Sequence, residues 1–263
     1  MTFRYLEWNP KGKHTAVLLH GFTGSDHSFD MVIPYLSEDI RVIVPLLPGH
    51  GSVSYPLANF AMDTQVDWLH QCFKQLGLKR FTLIGYSMGG RLALGYSLEY
   101  PVEKLLLTSS SPGIEDEQAR EERAQADANL ATRIVEVGID AFVDYWEEIP
   151  LFASQKKLPT EVQETVRRER ESHEAIPLAQ SLREFSTGKM PNYWPMLGEY
   201  SNSVKLVVGE LDQKFVQINK VMQTKFPHAS LTIVEQVGHA IHVENPKMFA
   251  TIIEEYILKE ENS

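Results

Sequence analysis

The stretch that decides the fold is Phe81-Thr82-Leu83-Ile84-Gly85-Tyr86-Ser87-Met88-Gly89-Gly90-Arg91. Phe81 to Ile84 is a short apolar run that reads as a buried strand, and Arg91 to Tyr100 places apolar residues at helical spacing. Between them, Gly85-Tyr86-Ser87-Met88-Gly89 has the G-x-S-x-G pattern of a serine held on a tight strand-to-helix turn. That turn strains the serine backbone, so small residues two before and two after it are needed to avoid clashes. In return the hydroxyl is exposed at a helix N-terminus, where developing negative charge is favoured. The pattern by itself is common; its position between strand and helix makes Ser87 the candidate reactive residue.

Working outward, five more runs repeat the strand pattern: Thr15-Ala16-Val17-Leu18-Leu19, Arg41-Val42-Ile43-Val44, Lys104-Leu105-Leu106-Leu107-Thr108, Val204-Lys205-Leu206-Val207-Val208 and Leu231-Thr232-Ile233-Val234. Nearly continuous apolar runs bounded by turn residues are what parallel strands covered on both faces look like. Asp63 to Leu76 and Pro246 to Leu258 join Arg91 to Tyr100 as covering helices, the last with proline at its first turn. From Pro112 to Pro195 the rhythm breaks: the segment is rich in Glu, Arg, Gln and Ala and holds no strand-like run. It reads as a helical cap, residues 112–195, inserted in one domain spanning residues 1–263. Most of its charges need no explanation beyond a solvated helical face.

A serine hydroxyl needs a histidine within hydrogen-bond reach and a carboxylate to orient that histidine. Gly209-Glu210-Leu211-Asp212 follows the Val204 strand and Gly238-His239 follows the Leu231 strand, giving the chain order Ser87, Asp212, His239. Glu210 is a rival to Asp212. The order and the strand pattern together define the fold class as α/β, an α/β-hydrolase fold with a mostly parallel central sheet, flanking helices and an inserted cap. Oxyanion-hole amides are expected from Met88 and from Phe22, in His20-Gly21-Phe22-Thr23-Gly24 after the first strand. His20 either shapes that turn or acts directly. Pro48-Gly49-His50-Gly51 is assigned to shape. His239 and His242 lack a third ligand nearby, so no metal site is expected, and no cofactor is called for.

The chain has 263 residues and a formal net charge of -10. That field repels nucleic acid and anionic membrane, so an anionic substrate requires a local concentration of arginines. No run approaches the roughly 18 to 20 apolar residues of a membrane span, and no signal peptide is visible, so a soluble, cytoplasmic protein is expected. The single cysteine, Cys72, excludes an internal disulfide and fits a buried apolar role. Nothing in the sequence fixes the oligomeric state, and a monomer is compatible with it. Arg91 lies four residues after Ser87, on the same helical face, where a cation opposes the helix dipole. Its counter-charge is either a protein carboxylate or a substrate carboxylate.

The elbow with its arginine, Gly85 to Arg91, resembles that of the 2-succinyl-6-hydroxy-2,4-cyclohexadiene-1-carboxylate synthases, the MenH family of menaquinone biosynthesis. Ser111-Pro112-Gly113-Ile114 with the stretch to Arg123, Trp146-Glu147-Glu148-Ile149-Pro150-Leu151-Phe152, Gly209 to Phe215 and Gly238 to Pro246 extend the likeness over nearly the whole chain. The resemblance implies a lyase that eliminates pyruvate from 2-succinyl-5-enolpyruvyl-6-hydroxy-3-cyclohexene-1-carboxylate, with Ser87 as base. It implies that Arg91, Arg123 and Arg170 meet the carboxylates of this small tricarboxylate, and that Tyr86 and Trp146 shape the pocket. Within the cap, Arg120 competes with Arg123, and Arg167 and Arg168 compete with Arg170. A carboxylesterase or carbon-carbon bond hydrolase would use the same three residues, with fast turnover of neutral aryl esters as its mark. A non-catalytic receptor on this fold would bind ligand without product.

Overall fold

Alternate residues of each central strand enter different hydrophobic layers, which is why the strand runs are continuously apolar. A computed structural model describes residues 3–53, 55, 57 and 59–258. In the strand His14–Leu19 (β2), Val17 and Leu19 pack on one side of the sheet while Ala16 and Leu18 pack on the other. Leu105 and Leu107 likewise oppose Leu106 in Lys104–Thr108 (β5). Burying such side chains on both faces contributes about 1.5 to 3 kcal/mol each, which makes this sheet the stable frame of the molecule.

Seven strands form one sheet: Tyr5–Trp8 (β1), β2, Ile40–Pro45 (β3), Thr82–Tyr86 (β4), β5, Val204–Gly209 (β6) and Ala229–Val234 (β7). Their spatial order is β1-β3-β2-β4-β5-β6-β7, with β1 antiparallel to β3 and every other pairing parallel. The six strands expected from sequence are all present, with no end shifted by more than two residues. β1 is an addition: a four-residue, half-buried edge strand gives too short a pattern to stand out.

Helices Met62–Gln75 (α1) and Met88–Glu99 (α2) cover one face with the larger core. Between β5 and β6 the described chain is helical and irregular: Glu117–Glu148 (α3), broken at Gly138, then a 3-10 segment Pro150–Lys157, Thr160–Glu171 (α4), Ala175–Glu184 (α5) and a 3-10 segment Trp194–Glu199. α3 and α5 share their own small core of Ala131, Ile134, Phe142, Val143, Leu178 and Leu182. Gln213–Lys225 (α6), Ile241–Glu244 (α7) and Pro246–Leu258 (α8) complete the chain, α8 burying Phe249 and Ile253 against the second face of the sheet. Among the described residues no helix is long and apolar enough to cross a membrane.

Candidate active site

Ser87 sits between β4 and α2 with φ 51 and ψ -109, a left-handed backbone that serine adopts only under constraint. The neighbouring glycines make this turn possible. A Cβ at Gly85 would lie 2.4 Å from the Gly89 carbonyl oxygen, and one at Gly89 would lie 2.3 Å from that of Leu19. The turn is locked by Ser87 N–H donating to Thr108 O at 2.9 Å and by Ser110 Oγ donating to Ser87 O at 3.1 Å.

The other two members arrive from the loops after β6 and β7. Asp212 caps α6, its Oδ1 facing the Phe215 amide at 3.5 Å, so helix geometry fixes the carboxylate. Its Oδ2 stands 2.6 Å from His239 Nδ1, and His239 Nε2 stands 3.0 Å from Ser87 Oγ. The side chains of His239 and Asp212 are only 2% and 5% exposed, so water does not compete for the pair. The His239 loop is held by Ser109 Oγ, which donates to His239 O at 2.8 Å, and by Glu244, which accepts from Gly238 N–H at 2.7 Å. Glu210 is turned away: exposed, it accepts from Gln236 N–H at 2.9 Å. The rivalry between the two acids is thus decided by which one caps the helix.

His20 belongs to shape. Its Nδ1 lies 2.9 Å from Gly21 O and its Nε2 accepts from Leu47 N–H at 3.0 Å, so both ring nitrogens are committed to backbone. Burial pushes its pKa down to about 3, and it stays neutral. Gly21 lies against the elbow, where an added Cβ would be 2.6 Å from the Tyr86 ring. This places Phe22 on the wall of the Ser87 cavity beside Met88, the first residue of α2, whose amide has no partner inside the helix. His242 packs on Tyr86 (4.4 Å between centroids) and Phe29 (5.1 Å).

Ser87 and His239 open into a cavity of about 340 Å³, roofed by α3 and α5. Tyr86 and Trp146 line it, Trp146 packing on Phe22 at 5.5 Å and on Phe142 at 5.5 Å. The Trp146 Nε1–H is buried without a partner among the described residues, leaving a donor for a ligand. Arg91 also lines the cavity. Its Nη1 donates to Phe185 O at 2.9 Å and its guanidinium lies 5.1 Å from the Phe185 ring centre. No carboxylate among the described residues comes within 4 Å of it, so the two readings of its counter-charge separate in favour of a ligand. Burial and the nearby Arg123 charge press its pKa down to about 9, against the pull of Asp127, and it remains charged at pH 7.

Arg123, and not Arg120, reaches the cavity; its Nε pairs with Asp127 Oδ2 at 2.8 Å, and Asp127 also accepts from Ser186 Oγ at 2.5 Å. The structure does not bring Arg170 to this cavity. Its guanidinium donates to Gln155 Oε1 at 2.9 Å and Glu147 Oε1 at 3.3 Å, and lies 4.6 Å from the ring centre of Phe152, which screens it from the triad. A side space of about 30 Å³ connects it with Tyr86 and Gly21, room for water but not for a substituted ring. Arg167 is tied up by Asp144, Glu147 and Glu171, and Arg168 by the Thr165 hydroxyl. Lys214, which sequence reasoning missed, lines the cavity from the first turn of α6 and has no ion-pair partner among the described residues. A lysine where a helix prefers an acid was the available signal.

The alpha/beta hydrolase family model matches residues 16–252. A Bacillus subtilis (strain 168) protein, provisionally named as a 2-succinyl-6-hydroxy-2,4-cyclohexadiene-1-carboxylate synthase, is 38% identical over 94% of this chain and 92% of its own length. An Enterobacter sp. (strain 638) protein of that name is 27% identical over 90% of this chain and 89% of its own. The solved structure of MenH from S. aureus superposes with a TM-score of 0.94 and 36% identity, covering 100% of both chains. With the elbow, the acid and the histidine in one relay, and with these likenesses running end to end, the chain belongs to the alpha/beta hydrolase family and, within it, to the 2-succinyl-6-hydroxy-2,4-cyclohexadiene-1-carboxylate synthases.

Proposed function

We propose that this chain is a carbon-oxygen lyase of menaquinone biosynthesis, eliminating pyruvate from 2-succinyl-5-enolpyruvyl-6-hydroxy-3-cyclohexene-1-carboxylate in the cytoplasm. The observation that carries the reading is Arg91: a charged, inward-facing guanidinium one helical turn from Ser87 with no carboxylate among the described residues within 4 Å of it. An enzyme for neutral esters has no use for such a cation, whose desolvation costs several kcal/mol unless an anion meets it.

In this reading His239, oriented by Asp212, takes the Ser87 proton, and the serine oxygen removes the ring proton next to the succinyl ketone. The resulting enolate oxygen is held by the Phe22 and Met88 amides. Electrons then pass from the enolate through the ring double bond and break the ring carbon to enolpyruvyl oxygen bond. The enolpyruvate released takes on carbon the proton that His239 holds and becomes pyruvate, which returns the relay to its starting state. No acyl-enzyme forms, and every proton moved has a residue in the relay to carry it. Arg91 and Arg123 meet two of the three carboxylates through charge-assisted hydrogen bonds. Lys214 takes the third, the place that the resemblance gave to Arg170, while Arg170 props the Phe152 wall. Residues 112–195 act as the cap that closes over the ligand.

The test is pyruvate release, followed with a coupled dehydrogenase on freshly generated substrate, with Ser87→Ala and enzyme-free controls because the substrate also eliminates spontaneously. Release at least 1,000-fold faster than with Ser87→Ala is the expected outcome, on the order of what loss of the reactive residue costs in such relays. A Ser87→Ala enzyme with near-normal turnover would refute the mechanism, and wild-type release at background rate would refute the function.

A further inference from the structure

One carboxylate of the helical segment reaches into the loop that carries Phe22, and the relay described above has no use for it. Glu169, in the last turn of α4, accepts through Oε1 from Ser25 N–H at 2.9 Å, from Ser25 Oγ at 2.7 Å and from Ser28 Oγ at 2.7 Å. Burial pushes its carboxyl pKa up, opposed by those same three donors and by the Arg170 charge. The loop itself is not relaxed. Thr23, between Phe22 and the Glu169 contacts, has φ 65, which a β-branched residue tolerates only when its surroundings enforce it. On the body side the loop is fixed by His20, through Gly21 O and the Leu47 amide, and by the Arg4–Asp26 ion pair at 2.6 Å. On the other side it is fixed by α4, with Glu169 at Ser25, and α4 is itself docked on the body just past its end, where His173 accepts from the Gly51 amide of the neighbouring loop at 2.8 Å.

We propose that Glu169 is a positioning residue that seats the oxyanion loop, so that the Phe22 amide is aimed at the reacting oxygen only while α4 is docked on the body. The Phe22 donor is three residues from the carboxylate's anchor point, and the strained Thr23 backbone between them transmits the anchor's position. Cap docking and completion of the oxyanion hole are thereby one event, and substrate enclosed by the cap meets an assembled site. This inference rests on the proposed function for its kinetic consequence, although not for its structural one.

Two measurements on the full-length protein separate those parts. Amide hydrogen exchange of residues 21–28 should accelerate at least tenfold in Glu169→Ala while β4 and α2 stay protected; unchanged loop exchange overturns the proposal whatever the activity. In the pyruvate-release assay, Glu169→Ala should lower kcat about 100-fold with KM within threefold, as expected for a misplaced oxyanion donor. Glu169→Gln, which keeps an acceptor oxygen, should recover most of that loss and serves if the alanine variant folds poorly. Parallel loss of folded protein and activity with kcat per folded molecule unchanged, or no rescue by glutamine, overturns the positioning role. If wild type fails to release pyruvate, the function falls while the exchange result still decides the latch.

Discussion

Replacing Arg91 by methionine removes a cation that the fold holds beside Ser87 with no ion-pair partner among the described residues, and two opposite effects should follow from one substitution. The depression of its pKa from 12.5 to about 9 bounds the cost of keeping that charge in the unliganded protein at about 5 kcal/mol. The guanidinium faces a cavity that reaches water, and screening there lowers the figure to about 2 kcal/mol. Methionine gives up the 2.9 Å bond to Phe185 O and the contact with the Phe185 ring, which returns about 1 kcal/mol. The unliganded variant should therefore be about 1 kcal/mol more stable, a rise of about 2 to 4 °C in Tm for a chain of this size. The same change deprives a substrate carboxylate of a charge-assisted pair in a site from which the bound substrate has displaced water, about 3 to 4 kcal/mol, so kcat/KM for pyruvate release should fall about 100- to 1,000-fold. Thermal unfolding without ligand and the coupled assay read the two effects separately. A variant that is less stable, or whose kcat/KM stays within threefold of wild type, would show that Arg91 serves the fold and not a ligand.

Lys214→Gln should raise KM about three- to tenfold with kcat unchanged, and the difference should shrink as salt is raised, because the side chain is exposed and screened; a salt-independent KM equal to wild type removes it from the site. Burial holds the pKa of both His20 and His242 at about 3 in the folded chain, so the unfolded chain binds protons that the folded one refuses. Stability from these two is then complete above about pH 6.5 and falls as the pH drops toward 3, by about 2 kcal/mol each at pH 5. Denaturant unfolding at pH 7 and pH 5 checks this, and equal free energies at both would contradict it.

The sequence by itself determined the parts of this protein that local pattern and chain order encode. Six continuous apolar runs with helices between them defined a covered parallel sheet, because strands buried on both faces leave no polar alternation. The glycines around Ser87 announced the elbow, because nothing larger fits two residues either side of it. The order Ser87, Asp212, His239 placed the relay at the ends of three strands that a parallel sheet brings to one edge. Side-chain direction was decided only by the tertiary structure. Asp212 prevails over Glu210 because it caps α6 and points at His239, and Arg123 prevails over Arg120 because of its position on α3 relative to α5. Arg170 matched a family pattern, yet Gln155, Glu147 and the Phe152 ring hold it outside the cavity. Lys214 and Glu169 looked like ordinary surface charges in the sequence. What makes one line the cavity and the other grip Ser25 is the packing of helices far apart in the chain, and charge alone carries no record of which neighbour it will meet.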